Sequence, residues 1–243
     1  MSGEIIVEAI DLSKRFGGLT ALERLNFCIY RGEIFGLLGP NGAGKSTFIS
    51  ILTTLCKPTS GDILINGFSA VRQPDKIKKS IGFVPQDIAL YPMLSGLDNL
   101  AFWAGIYGLA GNLKKERIRE ALSIVRLEDR AKDRVENYSG GMKRRLNIAV
   151  ALLHHPGILV MDEPTVGVDA VSRKYILETV KRLKSEGRTV IFASHYIDEM
   201  ESLCDRIAII DKGILKALGT VEELRKIYGK QNMEDVVLSA VEV

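Results

Sequence analysis

Cysteine and histidine are scarce in this sequence, with three of each among 243 residues. Cys28, Cys56 and Cys204 form no C-x-x-C pair, and no histidine lies at zinc-site spacing from them. This pattern argues against a disulfide framework and against a structural zinc site. We therefore expect buried free thiols in a reducing compartment, which points to the cytoplasm.

Long hydrophobic runs are also missing. The uncharged segment 100–113 is shorter than the roughly 20 apolar residues that a membrane-spanning helix needs, and glycines interrupt it. The opening segment, Met1 to Glu4, has neither the basic nor the apolar part of a signal peptide. We expect a chain that does not enter the membrane itself and that needs a separate partner for any membrane role.

Charge of one sign is not in large excess. The 33 basic and 30 acidic residues are interspersed and give a net charge of +3. The short basic cluster 143–145 is typical of a solvated helix face rather than of the basic stripe that binds nucleic acid. We expect no nucleic-acid partner, and the hydrophobic content of 46% is that of an ordinary globular protein.

What the sequence does contain is a regular order of short apolar runs and helical patterns. Strands are predicted at 158–161, 189–193 and 206–210, with helices between them. This order is typical of a parallel sheet that is covered by helices on both faces. Further strands are expected at 5–10, 22–30, 33–38, 62–66, 81–85 and 214–218, and further helices at 45–55, 171–185, 197–203 and 221–228.

The pattern changes between residues 87 and 140. Strand signals stop there, and two helical patterns appear at about 97–109 and 114–125. We interpret this stretch as a helical lobe inserted into an α/β core, followed by a long helix from 141 to about 153. The predicted division of the single domain is a core of residues 1–86 and 141–220, a helical lobe of about 87–140, and a C-terminal tail of 221–243.

The strongest motif lies between an apolar run and a helical pattern, and it fits G-x-x-x-x-G-K-[ST]. Its glycines let backbone amides converge on phosphate oxygens at a helix N-terminus. Lys45 would reach the β- and γ-phosphates of ATP, Ser46 would ligate magnesium, and Thr47 would contact the α-phosphate. A chance glycine-rich turn is improbable between these flanks. The motif consists of Gly39, Pro40, Asn41, Gly42, Ala43, Gly44, Lys45, Ser46 and Thr47.

Two carboxylates end the buried run 158–161. In α/β proteins ligands bind at the carboxyl ends of the strands, so Asp162 and Glu163 would face the nucleotide. Asp162 would orient the magnesium shell, and Glu163 would act as general base on the attacking water. A helix cap is the alternative role for one of them, but it is less convincing beside a phosphate loop.

A third motif opens the helix predicted after residue 141. Ser139, Gly140 and Gly141 form another amide-rich helix N-terminus, which is a potential phosphate site. Taken alone, these residues would more often be an ordinary N-cap.

Together these motifs resemble those of the ATP-binding-cassette (ABC) ATPase family, and the resemblance covers nearly the whole chain. It implies that Gln86 is the Q-loop residue, with catalytic and magnesium-binding roles, and that His195 is the catalytic switch histidine. It also implies that Asp169 belongs to the D-loop at the nucleotide and that Phe16 stacks on adenine. Each of these four residues alone would have an ordinary structural explanation.

The resemblance further implies an α/β fold, with a P-loop NTPase core, a mainly parallel sheet, an N-terminal antiparallel β subdomain and an inserted helical lobe. Two departures from the family pattern stand out. The signature Leu-Ser-Gly-Gly-Gln has Tyr138 and Met142 at its ends here, which puts the contacts of the final glutamine in doubt. The D-loop reads Val-Gly-Val-Asp at 166–169 rather than the more usual Ala-Leu-Asp type of ending.

The mechanism implied by the resemblance involves two chains. Each ATP lies between the Lys45 loop of one cassette and the Ser139–Gly141 segment of another, which is a second copy or a homologous ATPase subunit. Hydrolysis at Glu163 reopens the pair. In transporter members, a groove near Gln86 passes this motion to transmembrane permease subunits, so the chain would lie on the cytoplasmic face of the cell membrane.

Three interpretations remain open at this point: a transporter subunit, a soluble cassette ATPase of translation or DNA repair, and an unrelated P-loop kinase. The stretches 194–201, 206–219 and 233–238 resemble the drug-resistance and ABC-2 type exporter group. Importers of the sugar type usually continue into a long C-terminal domain, and the sequence shows none. We therefore expect an exporter subunit, whose substrate contacts lie on other subunits.

The apolar stretch 88–94, directly after Gln86, has no clean helical or strand period. Two interpretations are open for it. Its side chains either close the core of the helical lobe, or they form an apolar groove that receives a helix of the membrane subunit, with Tyr91 as the best anchor.

Overall fold

The computed structural model describes residues 3–242 as strands and helices in close alternation. The strands are β1 (Ile5–Phe16), β2 (Leu19–Tyr30), β3 (Ile34–Leu38), β4 (Ser60–Ile65), β5 (Phe68–Ser69), β6 (Ile81–Val84), β7 (Ile158–Asp162), β8 (Thr189–Ser194), β9 (Arg206–Asp211) and β10 (Ile214–Gly219). The α-helices are α1 (Lys45–Leu52), α2 (Pro74–Lys78), α3 (Gly96–Ile106), α4 (Gly111–Ile124), α5 (Gly140–Leu152), α6 (Ala170–Ser185), α7 (Ile197–Leu203), α8 (Val221–Tyr228) and α9 (Met233–Glu242).

The strands form two sheets. The six-stranded sheet has the order β10-β9-β3-β8-β7-β6, and its neighbours run parallel except for the antiparallel pair β9 and β10. The four-stranded sheet has the order β2-β1-β4-β5 and is antiparallel. Helices α3 and α4 lie between β6 and α5 in the chain. These two helices form the inserted helical lobe. The predicted α/β class is therefore confirmed.

Two apolar cores flank the six-stranded sheet, because successive side chains of a strand point to opposite faces. In β7, Ile158 and Val160 belong to the core shared with the antiparallel sheet and α1. Leu159 and Met161 belong to the other core, which the helical lobe and α5 also line. Both faces of β7 are thus buried, which is why this strand reads as a continuous apolar run.

Strand β1 is longer than predicted because a bulge interrupts its alternation. Asp11 has a φ of 44° there, and the Asn26 side-chain oxygen accepts a hydrogen bond of 2.8 Å from its amide. A Cβ on Gly61 would lie 2.3 Å from the Asp11 carbonyl oxygen, so only glycine fits beside the bulge. The alternation stops at Ile10, but the strand continues to Phe16.

Several further elements differ from the predictions. Helix α1 ends at Leu52 because Thr54 adopts a φ of 62°, and helices α2 and α9 were not predicted. The three cysteines are free, but they are half-buried rather than buried. Among residues 3–242, no helix has both the length and the apolar character to cross a bilayer.

Tyr138, which departs from the family signature, is part of the core of the helical lobe. It is buried, and its hydroxyl donates a hydrogen bond of 2.6 Å to the Arg130 carbonyl oxygen. A Cβ on Gly96 would lie 2.4 Å from that hydroxyl, so the tyrosine fills the space that this glycine leaves. The residue therefore has a packing role in the helical lobe.

We expect Tyr138→Leu to lower the free energy of unfolding by about 1–3 kcal/mol, since it removes the hydrogen bond to the Arg130 carbonyl oxygen and leaves the pocket underfilled. Tyr138→Phe keeps the ring, so it should cost only about 1 kcal/mol. Urea unfolding of the full chain measures both. A Tyr138→Leu chain as stable as the wild type would show that the hydroxyl does not anchor the lobe.

Candidate active site

The phosphate-loop motif forms the turn between β3 and α1, and two of its glycines are required by close contacts. A Cβ on Gly39 would lie 2.2 Å from the Ile210 carbonyl oxygen. Gly44 has a φ of 110°, and a Cβ there would lie 2.7 Å from the Ala21 carbonyl oxygen. The turn 39–44 therefore contacts β9 and the antiparallel sheet. The last three residues of the motif, 45–47, form the first turn of α1, whose free amides point toward the turn.

Lys45, the first residue of α1, is only 5% exposed. Its ammonium donates hydrogen bonds to the carbonyl oxygens of Gly39 (2.8 Å) and Pro40 (3.1 Å). It also lies 3.4 Å from a carboxylate oxygen of Glu163. A buried ammonium needs such partners, since an unpaired charge in this position would be costly.

Ser46 and Asp162 meet across the cleft. The Ser46 hydroxyl donates a hydrogen bond of 3.3 Å to an Asp162 carboxylate oxygen. Burial at the end of β7 raises the pKa of Asp162, and the Ser46 hydrogen bond opposes that rise. The two oxygens are the kind of ligand that magnesium prefers.

Glu163 has an unusual backbone conformation for a non-glycine residue, with a φ of 48°. Its amide donates a hydrogen bond of 3.0 Å to the Ala193 carbonyl oxygen of β8. Its carboxylate lies 3.3 Å from Nδ1 of His195, although the two groups are not aligned as a hydrogen bond. Backbone strain of this kind costs about 1–3 kcal/mol and is concentrated at functional sites.

Lys45, Ser46 and Glu163 line one cleft of about 570 Å³, which is in the size range of small-molecule sites. Asp162 and His195 are not part of its described lining and lie next to Ser46 and Glu163. Gln86 lies in the same cleft. Three predicted loop residues, Gly39, Pro40 and Ala43, are not part of the described lining. Their carbonyl oxygens accept hydrogen bonds from Lys45 and from the Gly213 amide. The lining consists of Phe16, Leu19, Thr20, Ala21, Asn41, Gly42, Gly44, Lys45, Ser46, Thr47, Gln86, Glu163 and Lys212.

The backbone at Gln86 is held by an arginine of helix α5. The buried Arg144 of α5 donates hydrogen bonds to the carbonyl oxygens of Pro85 (2.8 Å) and Gln86 (2.6 Å). The backbone of the predicted Q-loop is therefore attached to α5, the helix that the Ser139–Gly141 motif opens.

Phe16 and Lys212 stand at the open side of the cleft. The Phe16 ring is 51% exposed, and the Lys14 ammonium lies 4.8 Å from its centroid. Lys212 was missed by sequence reasoning because it belongs to no motif. The turn that carries it is tied to the phosphate loop, since the Gly213 amide donates a hydrogen bond of 2.9 Å to the Ala43 carbonyl oxygen.

The predicted site residues Ser139, Gly140, Gly141 and Asp169 form a second group. They are not part of the described lining of the cleft. Ser139 is the N-cap of α5 and accepts a hydrogen bond of 3.2 Å from the Met142 amide. Asp169 is the N-cap of α6. The two N-termini are in contact, since a Cβ on Gly141 would lie 2.0 Å from the Ser172 hydroxyl oxygen and 3.2 Å from an Asp169 carboxylate oxygen.

Ser139 and Gly140 are exposed, whereas Met142 is half-buried and packs against the core of the helical lobe. The side chain that replaces the usual glutamine therefore has a packing role in this chain. Ser139 and Gly140 of the motif lie at the surface.

The family model for ABC transporters matches residues 22–166. This chain belongs to the ABC transporter family of ATPases. The match includes the phosphate loop, the Ser139–Gly141 motif and both carboxylates at the end of β7.

Curated proteins of this family are similar over most of the chain. The linearmycin resistance ATP-binding protein LnrL of Bacillus subtilis is 48% identical over 97% of this chain and 76% of its own length. The doxorubicin resistance ATP-binding protein DrrA of Mycobacterium tuberculosis is 38% identical over 91% of this chain and 67% of its own length. The probable multidrug ABC transporter ATP-binding protein YbhF of Escherichia coli is 40% identical, but the chain spans only 38% of it.

Solved ABC cassettes have the same fold. An ATP-binding subunit of an ABC transporter superimposes with a TM-score of 0.87 at 30% identity, covering 97% of this chain and 99% of that chain. The cassette MJ0796, solved as a dimer in a post-hydrolysis state with ADP and Pi, gives a TM-score of 0.80 at 30% identity, covering 89% of this chain and 99% of that chain. This ABC ATPase therefore binds and hydrolyses nucleotide with a fold shared across the family.

Proposed function

We propose that this chain is the ATP-hydrolysing subunit of a membrane exporter, and that it works as one half of a head-to-tail cassette dimer on the cytoplasmic face of the membrane. The observation that carries the proposal is the cluster of Lys45, Ser46 and Glu163 in one cleft, with Asp162 hydrogen-bonded to Ser46 beside it. Phosphate chemistry needs this combination of a cation, hard oxygen ligands and a positioned carboxylate.

Magnesium fits the donor set of this cleft. Ser46 and Asp162 would hold the ion, with Gln86 near it, and the ion would neutralise charge on the β- and γ-phosphates. Phosphate oxygens would replace the Glu163 carboxylate as the partner of Lys45. Glu163 would then be available to accept the proton of the attacking water, with His195 beside it.

We expect Glu163→Gln to retain ATP binding while the hydrolysis rate falls by at least about a hundredfold, since the amide cannot accept a proton. ATP should then hold two chains together, which size exclusion would detect as a dimer. Lys45→Ala is the contrasting variant and should weaken nucleotide binding itself. Near-normal turnover by Glu163→Gln would remove Glu163 from the general-base role.

Two chains complete the site in this proposal. Ser139 and Gly140 at the start of α5 are exposed and are not part of the described lining of the cleft, and Asp169 lies beside Gly141. Such a helix N-terminus can bind a phosphate group presented by another molecule. The Ser139–Gly141 segment of one cassette would therefore close over the ATP held by Lys45 of its partner, which is a second copy or a homologous subunit.

An exporter role is supported by the relatives. LnrL and DrrA are named as resistance proteins, and YbhF as part of a probable multidrug transporter. These names favour a transporter subunit over a soluble cassette ATPase of translation or DNA repair. The partner would be a transmembrane permease.

The surface offered to that permease is the apolar segment 88–106, which starts after Gln86. Tyr91 is 46% exposed, although its backbone is held by hydrogen bonds of 2.8 and 3.0 Å with the buried side chain of Asn99. Its ring packs edge-to-face on Phe102 at a centroid distance of 4.9 Å. The interpretation that these side chains close the lobe core is not favoured, since exposed side chains of this segment include Ile88, Tyr91, Met93, Leu94, Leu97, Phe102 and Ile106.

We expect Tyr91→Asp to leave the ATPase activity of the isolated chain within about threefold and its melting temperature nearly unchanged, because the side chain is exposed. The same change should abolish copurification with the permease and transport in cells, since it places an unpaired charge in an apolar contact. Leu55→Asp alters an apolar residue that is exposed outside this segment, so it is the control and should have no effect on copurification. Normal copurification of Tyr91→Asp would move the docking surface elsewhere.

A further inference from the structure

A buried carboxylate on α7 lies next to the active-site loops but is not part of the described lining of the cleft, and the proposed function gives it no role. The Glu199 side chain, on α7, has no exposed surface. One of its oxygens accepts hydrogen bonds from the hydroxyls of Thr165 (2.9 Å) and Ser194 (3.0 Å). The other accepts a hydrogen bond of 2.6 Å from Nε of Arg173.

The three donors come from three different segments of the site. Thr165 follows Glu163 by two residues, and Ser194 directly precedes His195. Arg173 lies one turn into α6, and its amide donates a hydrogen bond of 2.8 Å to the carbonyl oxygen of Asp169. Glu199 thus joins the loops of Glu163, His195 and Asp169 through one side chain.

Further contacts fix the geometry of this junction, by which we mean Glu199 and the three side chains that donate hydrogen bonds to it. Arg173 also donates a hydrogen bond of 2.7 Å to Asp198, and its guanidinium lies 5.0 Å from the centroid of the Tyr196 ring. The Tyr196 amide in turn donates a hydrogen bond of 3.0 Å to the Ser194 hydroxyl. Charge-assisted hydrogen bonds that a planar guanidinium donates to carboxylates set both distance and orientation, which a lysine could not do.

Glu163 needs such support because its backbone is strained. A residue with positive φ keeps that conformation only when its surroundings hold it. On one side the Glu163 amide is bonded to β8 through Ala193, and two residues further on Thr165 is bonded to Glu199. The segment that carries the proposed general base is therefore held at both ends, by β8 on one side and by Glu199 on the other.

We propose that Glu199 and Arg173 are positioning residues that set the placement of Glu163 relative to His195 and tie it to the Asp169 loop. The proposal rests on the proposed function of this site. Neither side chain lines the cleft, so both act through the residues they hold rather than on the nucleotide.

The test is steady-state ATPase kinetics of the full chain together with nucleotide affinity and melting temperature. Arg173→Met should lower kcat by at least about tenfold, since small misplacements of a reacting group are costly. It should leave the affinity for ATP within about threefold, because the phosphate loop is untouched. Lys181→Met removes the same charge from an exposed position of α6 and should leave kcat unchanged.

Thr165→Val is the second variant, and it decides the question if Arg173→Met does not fold. It removes one hydrogen bond from the Glu163 side of the junction and should lower kcat several-fold with unchanged ATP affinity. Wild-type kcat in either folded variant would overturn the proposal. A loss of kcat accompanied by an equal loss of ATP affinity would also overturn it, because it would indicate general destabilisation. Absence of hydrolysis by the wild-type chain would instead contradict the proposed function.

Discussion

The buried ion pair between Lys45 and Glu163 is the contact on which the rest of the site depends. It joins the phosphate loop after β3 to the carboxylates after β7, although these strands are not neighbours in the sheet. Strand β8 lies between them and ends at Ser194, next to His195. Because parallel strands end at the same edge of the sheet, this order delivers a cation, two carboxylates and an imidazole to one place. The two apolar cores hold that edge rigid from both faces.

Much of this arrangement could be predicted from the sequence, because its signals are local. The phosphate loop and the carboxylates of β7 are contiguous motifs, and the doubly buried strands read as apolar runs. The elements that were missed depend on weaker or distant signals. The bulge at Asp11 depends on Asn26 and Gly61, which are far along the chain.

Helix α9 did have a signal, since the Asn232 side chain caps it and buried residues recur at helical spacing. Lys212 and the Glu199 junction could not be found in this way. Lys212 enters the cleft only because the turn after β9 packs on the phosphate loop. Glu199 acquires its partners from three segments that only the tertiary fold brings together.

In the proposed dimer one ATP site is shared by two chains, with Lys45 from one and Ser139 from the other. Mixing a Ser139→Arg chain with a Lys45→Ala chain tests this sharing, because the heterodimer contains one site in which both residues are intact. We expect the mixture to recover part of the wild-type ATPase activity, although neither variant hydrolyses ATP alone. Confirmed heterodimers without any recovered activity would contradict it.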